Sequence, residues 1–198
     1  MIAAIILAAG ESRRMGSPKA LVRFGGLTFV EHLLTATRHP RIGLRRVVLG
    51  AGADEIRSKP ALRDATIVIN EEWEKGPLSS IHAGLRSLEN IEAEGALICP
   101  VDHPLVTQHL IAAIVQAFDT TASAIVLPTF QGRRGHPVLF RSALFPELMN
   151  APMEIGARYV VRAHANEIAI VPTEEEGVVL NLDDAEALKR LSSSTELG

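Results

Sequence analysis

Short apolar runs alternate with amphipathic segments along most of this chain, and that alternation constrains the fold more than any other feature. Ile2 to Leu7, Arg46 to Gly50, Ala65 to Asn70, Gly95 to Val101 and Ala124 to Pro128 read as strands. The Gly95–Val101 run is apolar without alternation, the pattern of a strand covered on both faces. Segments starting at Thr28, Asp54, Ser79 and Thr107 read as the intervening helices. Thr28 with Glu31 three residues on is a capping box, and Pro77 suits the start of a helix. The alternation predicts a single α/β domain on a doubly wound, mostly parallel sheet. After Pro128 the rhythm changes. A polar turn over Gln131–His136 leads to a short strand, Pro137–Phe140. Helices around Ala143–Met149 and Ala157–His164, strands Ile168–Val171 and Val178–Leu180, and a last helix, Ala185–Leu191, are expected next. This second half is expected as an insertion on one edge of the sheet. The domain then runs over 1–191, and 192–198 form a frayed, disordered tail.

Composition narrows the function classes. A chain of 198 residues with 47% hydrophobic content buries a sizeable core in one domain. A net charge of −3, no lysine run and 4% aromatics argue against a nucleic-acid partner. The pairs Arg45-Arg46 and Arg133-Arg134 and the run Glu174–Glu176 read as solvated. The single cysteine, Cys99, excludes an intrachain disulfide and reads as a small buried hydrophobe. His82, His103 and His109 fit no standard zinc spacing. Ser79 and Ser80 lack a nucleophile elbow. No stretch suits a membrane span and no signal peptide is evident, so a cytoplasmic protein is expected.

The loop after the first strand carries the chemistry. Leu7-Ala8-Ala9-Gly10-Glu11-Ser12-Arg13-Arg14-Met15-Gly16-Ser17-Pro18-Lys19 places two glycines, two arginines and a lysine within ten positions. Gly10 and Gly16 permit positive φ and close backbone approach, and successive N–H groups can then cradle anionic oxygens. Pro18 disfavours helix at Ser17, so Lys19 is expected on a loop. Such a loop at the carboxyl end of strand one is where an open α/β sheet takes a nucleotide. The alternative is a glycine-rich turn with solvated arginines. Two familiar motifs fail. Five residues, where the P-loop has four, separate Gly10 from Gly16, Ser17 and Pro18 precede Lys19, and no G-x-G-x-x-G occurs. Asp102, directly after the fourth strand, falls on the same edge of the sheet. It reads either as a ligand for nucleotide-bound Mg²⁺ or as a turn-shaping residue before Pro104. Asp183 precedes a helix and reads equally as a metal ligand or a cap, with Asp184 competing for the cap.

Leu7-Ala8-Ala9-Gly10, Ser12, Arg14-Met15-Gly16 and Lys19 resemble the signature L-A-[AG]-G-x-S-x-R-M-G-x-x-K of the molybdenum cofactor guanylyltransferase-like nucleotidyltransferases. Ala9 and Pro18 look like the cytidylyltransferase branch; guanylyltransferases usually carry Leu-Ala-Gly-Gly and an Asp before the Lys. Asp102-His103-Pro104 resembles the family's Asp-x-Pro, with His103 where the cytidylyltransferase branch commonly has Gln. Gly76–Ile81 is similar to its G-[MP]-x-x-S-[LI] segment, and Gly132-Arg133-Arg134-Gly135-His136-Pro137 to its G-x-x-G-H-P element. Asn181–Ala187 resembles the C-terminal [DN]-x-D-T-P-E-D, lacking the Thr and Pro but keeping Asp183.

The resemblance implies a nucleotide-diphospho-sugar transferase-like fold and transfer of NMP from an NTP, CTP favoured, to a phosphorylated acceptor of the molybdopterin type. It implies a nucleotide site at Leu7, Ala8, Ala9, Gly10, Ser12, Arg14, Gly16, Lys19, Asn70, Ser80 and Gly84, with Arg14, Lys19 and Asp102 catalytic. It implies acceptor contacts at His103, Gly135 and His136, and Mg²⁺ on Asp102 and Asp183. A molybdoenzyme or its maturation factor is a further implied partner. Other readings of these residues stay open. Ser80 can be an ordinary cap, Asn70 a strand-end residue and His136 a loop support. A related transferase with another acceptor (a sugar, alditol or phospholactate-like phosphate) and a non-catalytic nucleotide-binding or cofactor-handover module are the rivals.

Overall fold

The computed structural model describes residues 1–12 and 17–182. In chain order its strands and α-helices are β1 (Ile2–Ala8), β2 (Arg23–Phe24), β3 (Leu27–Thr28), α1 (Phe29–Ala36), β4 (Ile42–Leu49), α2 (Ala53–Arg57), β5 (Thr66–Ile69), α3 (Pro77–Arg86) and β6 (Gly95–Pro100). Then come α4 (Gln108–Thr120), β7 (Ile125–Phe130), β8 (Arg133–Arg134), β9 (Val138–Arg141), α5 (Phe145–Asn150), α6 (Arg158–Ala163) and β10 (Ile168–Pro172). The main sheet runs β10-β7-β9-β6-β1-β4-β5, with β8 paired to β7, while β2 and β3 form a separate hairpin.

Local chemistry sets several boundaries as expected. Thr28 Oγ1 accepts from the Glu31 amide while Glu31 reaches back to the Thr28 amide, completing the capping box of α1. Pro77 occupies the first turn of α3, where its missing N–H costs nothing. The Thr107 hydroxyl caps α4 by accepting from Leu110 N.

Period-two alternation along β1 divides the core. Ile2, Ala4, Ile6 and Ala8 face one layer with Phe29 and Leu33 of α1 and Leu110, Ile111 and Ile114 of α4. Ala3 and Ile5 face the other, with Ile81 and Leu85 of α3, Leu148 of α5 and Val160 of α6. Each such large side chain contributes about 1.5–3 kcal/mol on burial. Cys99 is fully buried, and burial pushes its thiol pKa up.

The second half departs from expectation in two places. β10 does form an edge strand, but β9 enters the interior of the sheet, antiparallel to both β6 and β7. Arg141 secures its end: Nε donates to Ser123 O at 2.8 Å, Nη2 to Phe118 O at 2.7 Å, and the guanidinium lies 4.1 Å from the Phe118 ring centre. The strand expected at Val178–Leu180 does not form. Glu176–Val178 is a 3₁₀ turn, and Val178 O accepts from His136 N at 2.8 Å rather than joining a ladder. The helix expected at Ala185–Leu191 and the tail 192–198 lie outside the described residues.

The topology fixes where a ligand can sit. β1 pairs in parallel with β4 on one side and β6 on the other. The order in which strands are added reverses at that point, which opens a crevice at the strands' carboxyl ends. Leu7 lies opposite Pro100, and Val101 N donates to Leu7 O at 3.0 Å. The loop after β1 and the Asp102 turn after β6 therefore flank one cleft.

Candidate active site

Ser12 adopts a left-handed φ of 55°, and its Oγ accepts the backbone N–H of Lys19 at 2.9 Å. The loop after β1 is thus closed on itself, and Lys19 returns to the cleft. Lys19 opens a single 3₁₀ turn, Lys19–Leu21, rather than lying on plain loop. Gly10 keeps an ordinary φ, so the expected positive φ is not what it supplies. A Cβ built on it would meet nothing within 4 Å; the space above its backbone is open to a ligand. Leu7, Ala8, Ala9, Gly10, Ser12 and Lys19 all line the cleft. Arg14 and Gly16 lie outside the described residues.

Lys19 Nζ stands 4.0 Å from Asp102 Oδ2. The other oxygen, Oδ1, is buried without a hydrogen-bond partner among the described residues. A carboxylate oxygen so placed is costly unless a ligand or cation completes it. Mg²⁺ typically takes one or two carboxylates plus phosphate oxygens, so Asp102 fits such an ion. Among the described residues no group of three or more His, Cys, Asp or Glu is arranged to hold a metal by itself. Asp183 is outside the described residues. Leu182 donates its backbone N–H to Asp102 O at 2.9 Å, so the described chain ends beside Asp102, one residue short of Asp183.

His103 and His136 stack obliquely, ring centres 4.8 Å apart. Both line the cleft, and both Nδ1 atoms are buried without a partner among the described residues. Burial, with a smaller contribution from the neighbouring His103, pushes the His136 pKa down to about 4. His136 is therefore neutral at pH 7 and offers hydrogen bonds, not charge. Gly135 passes so close to Val178 that a Cβ would sit 2.5 Å from its carbonyl oxygen. That approach requires glycine and sets the position of His136.

Asn70 does not line the cleft. It is buried, and its Nδ2 donates to Ser79 Oγ at 2.8 Å and Ser80 Oγ at 3.0 Å, while Oδ1 accepts from Glu72 N. Ser79 donates to Gly76 O. Ser80 faces the cleft, so Asn70 acts by positioning it. Gly84 lies away from the cleft, on the α3–β1 contact, where a Cβ would fall 2.5 Å from Ile5 Cγ2. It serves helix–strand packing, and the structure does not place it among nucleotide contacts.

The cleft encloses about 1200 Å³. Part of its lining was not anticipated from the sequence: Met153, Ile155, Arg158, Val161 and Arg162, with Trp73 and Arg134. The spacing of Arg158, Val161 and Arg162 on one predicted helix was the available signal. Their proximity to the loop after β1 depends on the placement of β9, which local pattern does not reveal.

The profile of the MobA-like NTP transferase domain matches residues 4–168. A probable molybdenum cofactor guanylyltransferase of Mycobacterium ulcerans is 33% identical over 159 residues, 79% of this chain and 76% of that protein. The nicotine blue oxidoreductase of Paenarthrobacter nicotinovorans is 27% identical over 204 residues, 96% of each. Among solved structures, Rv0371c of Mycobacterium tuberculosis superposes with a TM-score of 0.84 at 23% identity, covering 97% of each chain. Molybdopterin-guanine dinucleotide biosynthesis protein A of Archaeoglobus fulgidus gives 0.70 at 16%, covering 99% of this chain and 100% of that one. The same α/β sheet is thus found across these structures. With the matched domain spanning the first loop, Asp102 and the Gly-His-Pro turn, this chain belongs to the MobA-like NTP transferase family.

Proposed function

We propose that the protein transfers NMP from an NTP, with CTP the favoured donor, to the phosphate of a small acceptor of the molybdopterin type, releasing pyrophosphate. The observation that carries this reading is the approach of Lys19 to 4.0 Å from Asp102 at the carboxyl ends of β1 and β6, with Asp102 Oδ1 left without a hydrogen bond among the described residues and His103 Nε2 3.9 Å from it. A cation and a carboxylate there suit a metal-nucleotide complex.

In this reading the backbone at Ala9 and Gly10 receives the nucleotide. Lys19, and Arg14 with it, stabilise charge on the α-phosphate and the departing pyrophosphate. Ser80, held by Asn70, hydrogen-bonds the base or ribose. Neutral His136 and its neighbour His103 contact the acceptor. Mg²⁺ on Asp102, with Asp183 as second carboxylate, supplies charge neutralisation for the phosphates when bound. The acceptor's own phosphate attacks, so no protein nucleophile is needed, and positioning with electrostatics provides the catalysis.

CTP rests on Ala9 and Pro18, and the acceptor on the names of relatives. Relatives 31% and 33% identical are named guanylyltransferases, so the donor panel must include GTP. A structural neighbour has been crystallised as a manganese complex, which supports a divalent ion for this chain. A second reading, an oxidoreductase, is favoured by the length of the P. nicotinovorans alignment. Pyrophosphate release from CTP, GTP, ATP and UTP, with Mg²⁺ and with molybdopterin present or absent, separates them. Acceptor-dependent release supports transfer. Tight NTP binding without release points to a handover module. A redox change of nicotine blue without release supports the oxidoreductase.

A further inference from the structure

Besides the loop after β1 and Asp102, the cleft is lined by α6 and the segment before it, which bring a chemistry of their own. Arg158 and Arg162 stand at i and i+4 on α6, with Val161 at i+3, so the three share a face. All three line the cleft. Both arginines are exposed, and neither makes a hydrogen bond or ion pair among the described residues. Like charges at this spacing oppose helix formation. Beside them Met153 and Ile155, 37% and 44% exposed, add apolar surface to the lining of the same cleft. Arg134, from β8, adds a third guanidinium to the same cleft. Its described lining holds four cations, Lys19 and these arginines, against two carboxylates, Asp102 and Glu154. The whole chain has a net charge of −3, so positive charge is concentrated here and draws anions in.

An in-line displacement puts the incoming and leaving oxygens on opposite sides of the α-phosphorus. In the proposed function Lys19 takes the leaving side. The incoming phosphate then needs cations of its own. We propose that Arg158 and Arg162, assisted by Arg134, bind the acceptor's phosphate monoester and hold it against the nucleotide, while Met153 and Ile155 cover the acceptor's apolar body. This assignment rests on the nucleotidyl-transfer reading for its role. An acceptor phosphate oxygen forms the new bond to the α-phosphorus. The bond from that phosphorus to the bridging oxygen breaks, and its electron pair leaves with pyrophosphate. No oxidant or reductant is involved. Arginine suits this task because its planar fork pairs bidentately with phosphate.

The test uses phenyl phosphate, which carries a phosphate dianion on a flat apolar body, titrated calorimetrically into the full-length protein and into Arg158→Gln/Arg162→Gln. Phenol is the uncharged control. The single tryptophan, Trp73, lines the cleft and reports Mg²⁺–CTP and Mg²⁺–GTP binding in the same proteins. The expected result is a loss of at least tenfold in phenyl phosphate affinity in the variant. Nucleotide affinity should change less than twofold and the thermal midpoint should be unaltered. Equal phenyl phosphate binding in both proteins, no binding to the wild type, or a matching loss of nucleotide affinity overturns the proposal. If no NTP yields pyrophosphate but arginine-dependent phenyl phosphate binding persists, transfer has failed and the phosphate subsite stands.

Discussion

Lys19 Nζ lies 4.0 Å from Asp102 Oδ2 although the two residues come from different strand ends. The contact ties the loop after β1 to the turn after β6, two parallel neighbours at the point where the strand order switches. Replacing Asp102 with Ala should lower turnover by at least about 10²-fold, the scale for losing a principal charge-stabilising group. Pyrophosphate release under saturating Mg²⁺ measures it. Release at the wild-type rate would remove Asp102 from the metal assignment.

Lys19→Ala tests the other half of that contact. Its ammonium is assigned to the triphosphate, and one charge-assisted contact of about 1.5–3 kcal/mol corresponds to a loss of roughly tenfold or more in NTP affinity. Trp73 fluorescence during NTP titration reads it directly. Affinity within twofold of wild type would separate Lys19 from phosphate binding.

Gly84→Ala distinguishes packing from binding. The new Cβ would fall 2.5 Å from Ile5 Cγ2, and overpacking of this kind costs about 1–3 kcal/mol. The urea midpoint should drop while NTP affinity of the folded protein stays at the wild-type value. Unchanged stability with weakened NTP binding would return Gly84 to the nucleotide site.

Two histidines give stability opposite pH dependences. His164 lies 2.8 Å from Glu147 and 2.8 Å from Glu167, which raise its pKa above 6.5, Glu147 contributing more. Its contribution is therefore complete below pH 6.5 and disappears as pH rises through the folded value. His136 is depressed from 6.5 to about 4, so the unfolded chain takes up a proton that the folded one refuses. Stability consequently falls as pH drops from 6.5 toward 4, by up to about 3 kcal/mol for a shift of this size. Urea midpoints from pH 4.5 to 8.5 should show His164→Gln flattening the alkaline limb and His136→Gln the acid limb. Parallel curves for wild type and both variants would contradict these assignments.

Much of the fold was legible because local signals agreed. The capping box at Thr28, Pro77 at a helix start and the unbroken apolar run of β6 each fall where the structure needs them. β9 was legible as a strand but not as an interior one, because pairing partners are set by tertiary contact and not by alternation. Val178–Leu180 has strand composition, yet Val178 N donates to Glu175 O within its own turn and Val178 O accepts from His136 N, so no ladder extends through it. The placement of Leu7–Gly10 and Asp102 at one cleft could be read because both stretches lie at strand ends. Gly84 is ambiguous in the sequence because a glycine in a helix gives the same local pattern whether it admits a ligand or, as the structure places it, a neighbouring isoleucine. Arg158 and Arg162 stayed hidden because an exposed arginine acquires meaning only from the wall it shares.

Transfer of label from an α-³³P NTP to a phosphorylated acceptor is the most direct test of the account. With wild-type protein, Mg²⁺ and molybdopterin, the label should appear in a nucleotide–acceptor conjugate joined through a new phosphoanhydride, with one pyrophosphate released for each conjugate formed and CTP the best donor. Label remaining wholly in the NTP, with every donor and with acceptor at saturation, would contradict it.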